Sequence, residues 1–184
     1  MNSARKLIHT RTVSCEAFAR EDELIDIEGT LLDIKPYPFE LPERGVVPSG
    51  EAVHEMKLLI TIDRSFLIHD AKAQTLHSPY RICGSITDSY RQIIGLRIEP
   101  GFTQNIKRLF KGINGCPHLS ELLPSMATTA FQVIWASKEA YSDPEGHSEK
   151  RPTPLGGCHA LRHDGDVVRL YFPHHYRASV EIEA

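Results

Sequence analysis

Long apolar runs are missing from this 184-residue sequence. None approaches the ~20 residues that a membrane-spanning helix needs, so no membrane role is expected. Met1 to Thr10 sets Arg5, Lys6 and His9 against only Leu7 and Ile8, too little for a signal-peptide core, and a cytoplasmic location is expected. Charge of one sign is also scarce. The net charge is −3 with a pI near 6.4 and there is no dense basic run, which argues against nucleic acid as a partner. The four cysteines, Cys15, Cys83, Cys116 and Cys158, are widely spaced, which excludes a pair of CxxC zinc-ribbon motifs and a dense disulfide scaffold. Also absent are a GxSxG elbow, a P-loop, a Rossmann glycine fingerprint and internal repeats. His54-Glu55-Met56-Lys57 begins like a zincin helix but lacks the second histidine and lies in a strand pattern.

What is present is the composition of a soluble globular protein: 41% hydrophobic and 24% charged residues. That length allows one domain with a proper core and a small appendage. The first half reads as strands. Leu7 to Ala19 alternates loosely, and Leu24 to Lys35 follows a polar turn at Arg20 to Glu23. Asp26, Glu28, Asp33 and Lys35 are read as a polar strand side facing solvent, with Asp33-Ile34-Lys35 a secondary functional candidate. Pro36, Pro38, Pro42 and Pro48, with Gly45 and Gly50, predict a long irregular loop. Met56, Leu58, Ile60 and Ile62 then alternate as a third strand, and Phe66 to His77 makes a fourth. The expected result is an antiparallel meander with one buried face.

The period then changes. Ile86, Tyr90, Ile93 and Ile94 fit a short helix ending at Gly95, and Phe102, Ile106, Leu109 and Phe110 a second ending at Gly112. Leu119, Leu122, Leu123, Met126, Ala127, Ala130, Phe131, Ile134 and Trp135 keep helical spacing for several turns, with Pro124 expected to bend that helix or to mark an N-terminal break in it. Strands followed by helices packed on one face give an α+β fold. Residues 1–141 are read as the main domain and 142–154, rich in Ser, Asp, Pro, Glu, Gly, His and Lys, as a linker or mobile loop. Residues 155–184 are read as a C-terminal extension expected to pack on the main domain, with Val167 to Phe172 as a strand.

Chemistry concentrates in Asn114-Gly115-Cys116-Pro117-His118-Leu119. Pro117 suits the first position of a helix, and Gly115 is expected to let the chain turn sharply into it. Cys116 then falls at the N-cap, where unpaired N–H groups and the macrodipole favour a thiolate, and His118 shares its turn. Cys83, in Tyr80-Arg81-Ile82-Cys83-Gly84-Ser85, is a second thiol at a helix start, and His54 precedes the third strand. If the helices pack on one face of the meander, Cys83, Cys116, His118 and His54 make a two-sulfur, two-nitrogen set acceptable to tetrahedral zinc or to an iron–sulfur centre with mixed ligation. Cys15 is read as a core thiol and Cys158-His159 as packing or a lid.

Arg20-Glu21-Asp22, Asp26-Ile27-Glu28, Asp33-Ile34-Lys35, His54-Glu55-Met56, Gly115-Cys116-Pro117-His118-Leu119 with Glu121 and Leu122, and Cys158-His159-Ala160-Leu161 resemble an uncharacterised bacterial family catalogued as a domain of unknown function. The resemblance runs from Arg20 to Pro173 and implies no activity. More distantly, Met56-Lys57-Leu58 through Cys83-Gly84-Ser85-Ile86 is similar to the iron–sulfur cluster scaffolds of the IscU/NifU type. That likeness implies an IscU/NifU-like core, matches Cys83 and Cys116 to scaffold ligands, and implies a 2Fe–2S cluster as one cofactor. Two departures stand out: Ala52-Val53-His54 replaces the first ligand cysteine, and Gly115 replaces the histidine before the last.

The function expected is a metal-binding protein, holding zinc or iron for cluster or metal handling or as an accessory to a partner protein. The alternative is a metal- or thiol-dependent enzyme acting on a small molecule, with Asp33 or Glu55 as acid or base, or with His118 activating Cys116 as nucleophile. A third reading is a binding module whose small-molecule cleft lies under the loop from Pro36 to Pro48.

Overall fold

The computed structural model describes residues 3–135 and 155–178, so the linker assigned to 142–154 lies outside the described residues. The chain forms two compact units, Met1–Ala130 and Phe131–Ala184. In the first, β1 (Thr10–Ala19), β2 (Ile25–Ile34), β5 (Ala52–Ile62) and β6 (Ile68–His77) make a four-stranded antiparallel sheet in the order β1-β2-β5-β6. The expected irregular loop contains a small hairpin, β3 (Phe39–Leu41) with β4 (Gly45–Val47). Gly45 enters β4 with a positive φ of 69°, which lets the proline-rich segment reverse and pair with itself.

Alternation builds the core. In β2, Ile25, Ile27 and Leu31 are buried, and they stand opposite Ile62, Ile60 and Met56 of β5. Gly29 shares that face because the long helix α2 (Pro117–Trp135) presses on it. A Cβ at Gly29 would lie 2.8 Å from the Met126 sulfur. Leu119, Leu122, Leu123, Met126 and Ala130 of α2 are buried, as their spacing predicts. Pro124 lies inside this one helix.

The helix expected over Ile86–Ile94 is instead a run of 3-10 turns from Arg81 to Ile93. Ser85 and Thr87 bond their hydroxyls back to the Ile82 and Gly84 carbonyls, which competes with α-helical pairing. Of the expected apolar face, Tyr90 and Ile93 are buried, whereas Ile94 is exposed and stands just past the end of the run. Helix α1 spans Phe102–Leu109. In the second unit the strand expected over Val167–Phe172 is a helix, Asp166–Tyr171. Asp166 in its first turn pairs with Arg169 one turn on at 2.8 Å, which favours helix over strand.

Candidate metal centre

Cross-strand register assembles the site. Arg11 of β1 stands opposite Asp33 of β2, and Asp33 stands opposite His54 of β5. Three side chains therefore form a row on the helix-covered face, one step beyond Leu31 and Met56. A bulge follows at once, because Ile34 pairs with Ala52 and leaves Val53 over. Such bulges twist a strand and re-aim its side chains. Asp33 is 1% exposed, which corrects the reading of a solvent-facing strand side. Asp26 does lie on the other face, bonded to Thr61 and Arg20.

The first turn of α2 roofs this row. Cys116 is the N-cap, its carbonyl accepting the Ser120 N–H at 2.9 Å, and Pro117 opens the helix as expected. Gly115 is extended, with φ −156°, so glycine is required there for a close approach and not for a turn: an added Cβ would collide with the Phe110 side chain and lie 2.8 Å from the Phe110 carbonyl. Tyr90, fully buried and stacked on Phe110, anchors the cap. Its hydroxyl accepts the Cys116 N–H at 3.0 Å and lies 2.8 Å from both the Cys116 carbonyl and the Ser120 hydroxyl.

Thus held, His118 stacks on His54 with ring centroids 3.9 Å apart. Its Nε2 lies 3.7 Å from Asp33 Oδ2, and its Nδ1 lies 3.8 Å from Cys116 Sγ. Asp33 Oδ1 accepts from Arg11 Nε at 2.8 Å and bonds His9 Nε2 at 3.1 Å. Asp33 Oδ2 accepts from Arg11 Nη2 at 2.7 Å and bonds His54 Nδ1 at 3.0 Å. Arg11 Nη1 donates to Glu121 Oε2 at 2.6 Å.

The charges follow from this geometry. Burial opposes ionisation of Asp33, but the Arg11 hydrogen bonds and charge outweigh it, with His9 and His54 adding to them, and hold its pKa down at about 2. Burial pushes the His54 pKa down, as does its neighbour His118, against the opposing pull of Asp33. Burial likewise lowers His118, reinforced by the Arg11 charge. Near neutral pH the centre therefore offers one carboxylate and two uncharged imidazoles. An ionised carboxylate only accepts, so the His54 proton sits on Nδ1 and the Nε2 lone pair stays available.

One ligand atom from each of Asp33, His54 and His118 lies within 4.8 Å of the others, and among the described residues these three make up the donor group. Of the residues singled out by sequence, His54 and His118 come together, and Cys116 touches the group through His118. Cys83 lies in the 3-10 run, half-buried, outside that group. His54 is inside β5 and not ahead of it. Glu55 is taken by His77 at 2.8 Å. Sequence reasoning missed His9 and Arg11 and placed Asp33 second. The signal that finds them is the strand register, which joins positions more than 20 residues apart.

Compared with known proteins, the chain matches no curated protein and no solved structure. Residues 9–132, which include the sheet, the cap and every residue of this centre, match a family described as a protein of unknown function, DUF2889, and the chain belongs to that family.

Proposed function

We propose that the protein binds a single transition-metal ion, zinc or iron, through His54, His118 and Asp33, with the Cys116 thiol at the edge of the site. The observation that carries this reading is a buried carboxylate beside two half-buried imidazoles, their donor atoms within 4.8 Å of one another and each on a separate element of the fold. Metal ligation needs deprotonated donors, and burial and ion pairing supply that state here. Nitrogen and oxygen donors suit zinc, iron and nickel more than a thiolate-held cluster. For that reason a 2Fe–2S cluster and the IscU/NifU-like ligand pairing of Cys83 with Cys116 are the weaker form of the proposal. The role is metal handling, or an accessory service to a partner protein in a reducing, cytoplasmic setting that suits four free thiols. Metal analysis of wild-type protein and of H118A tests it: bound zinc or iron lost from the variant supports the reading, and unchanged metal content refutes it.

A second reading has its own observation. Cys116 Sγ, His118 and Asp33 stand in series, at 3.8 Å and 3.7 Å, the order in which a thiol is activated by an imidazole oriented by a carboxylate. In this reading the protein is a thiol-dependent enzyme acting on a small molecule. Rapid alkylation of Cys116 in metal-free folded protein, slowed in H118A, supports it; slow alkylation in both rejects it.

A further inference from the structure

Arg11 joins two carboxylates. Its Nε and Nη2 grip Asp33, and its Nη1 holds Glu121 in the second turn of α2. Glu121 is half-exposed and Arg11 is about a third exposed, so this bridge lies on the solvent side of the centre. Asp33 is meanwhile fully subscribed, since a carboxylate has about four acceptor positions and His9, Arg11 (twice) and His54 take them all. An ion that reaches Asp33 must displace one of these donors. His54 leaves when its ring turns to the metal, or Arg11 Nη2 leaves.

Either way a divalent ion arrives next to a guanidinium. The side chains Asp33, Glu121 and Arg11 set two carboxylates against one guanidinium. The divalent ion converts that into a surplus of one positive charge, and three protein ligands leave coordination positions open. A small anion satisfies both demands. Arg11 Nη1, the guanidinium nitrogen not engaged with Asp33, already holds a second carboxylate from the solvent side by one charge-assisted hydrogen bond, to Glu121 at 2.6 Å.

We propose, resting on the metal reading above, that the metal-loaded centre takes a small carboxylate ligand bridging the ion and Arg11, and that Glu121 holds Arg11 in its place until the ligand arrives. Glu121 is then an internal competitor and Arg11 a specificity-determining residue.

The test uses the full chain loaded with cobalt(II), titrated with acetate and, as an ionic-strength control, with chloride, and read by the visible absorption of the cobalt. Wild-type protein is expected to give a saturable change with acetate that chloride does not reproduce. R11Q should weaken acetate binding by about tenfold or more, and R11K, which keeps a cation beside Asp33 but loses the fork, should weaken it as well. E121Q, a surface change that leaves the core untouched, should tighten acetate binding about threefold. Cobalt bound with a spectrum indifferent to acetate, or E121Q and the Arg11 variants indistinguishable from wild type, overturns the carboxylate proposal while the metal reading stands. Failure of cobalt to bind at all removes both.

Discussion

Asp33 ionises within the folded core because its partners outweigh its burial. Arg11 offers two N–H bonds and a full charge, and His9 and His54 add to them. Removing that charge by D33N leaves Arg11 and two imidazoles facing an amide. The expected cost is about 2–3 kcal/mol by urea denaturation, toward the low end for a broken buried pair because Arg11 is partly solvated. The pKa of about 2 lies below the ordinary 3.8, so this stabilisation is full above 3.8 and disappears as pH falls toward 2. Wild-type protein should lose about 2 kcal/mol over that interval, and D33N should show a flatter profile. The histidines act in the opposite chemical direction with the same outcome. Their pKa values lie below 6.5, so the fold favours the neutral rings, and acidification below 6.5 charges them at a cost. Bound metal should be released in that acidic range and retained at pH 7, as followed by a chromogenic chelator. H118A, by contrast, removes a side chain about a fifth exposed. With the His54 stack removed as well, its metal-free stability should fall by about 1–2 kcal/mol while metal is lost.

At the scale of elements, the centre depends on how α2 begins. Gly115 must pass against Phe110, and Tyr90 must take the Cys116 amide. G115A should cost about 1–3 kcal/mol, because the clash involves backbone that cannot move aside freely. Y90F keeps the stacked ring but leaves the Cys116 N–H without its partner, and should cost about 1–2 kcal/mol. Both variants should weaken metal binding without touching a ligand, since His118 rides on the cap, and calorimetric titration with zinc reads this. Much of this element was legible beforehand. Proline after a cysteine and the apolar spacing from Leu119 to Trp135 predict the helix, its start and its buried face. The alternation of Met56, Leu58, Ile60 and Ile62 likewise predicts β5 and its core side. Register was not legible. Whether Asp33 meets His54 or a residue two places away depends on pairing and on the Val53 bulge, and neither leaves a local mark in the sequence. The same limit explains why the polar periodicity of β2 read as a solvent face: one buried carboxylate at a strand end looks, residue by residue, like its exposed neighbours.

For the whole molecule, the division into two units puts the sheet, the cap and all the proposed ligands in Met1–Ala130, and the family match ends at residue 132. A fragment of residues 1–135, which keeps α2 entire, is therefore expected to unfold cooperatively and to bind zinc as the full chain does; a molten fragment would show that the second unit is needed for the fold. Among the described residues no helix is long and apolar enough to cross a membrane. Fold class could be read from the order of strands and helices, and so could the two histidines of the donor group, whereas the place of Asp33 beside them could not, because it is a property of tertiary contact. The cysteines drew attention as soft metal donors, but the donors that converge are two imidazoles and a carboxylate.

Whether His54, His118 and Asp33 hold a metal is tested by elemental analysis, with acid-labile sulfide, of anaerobically purified wild-type protein beside the H54A/H118A double variant. About one zinc or iron per chain is expected in the wild type without stoichiometric sulfide, and none in a double variant that keeps its circular dichroism spectrum. A folded wild-type protein that carries no metal and cannot be loaded, or a double variant with undiminished metal, would contradict the metal reading.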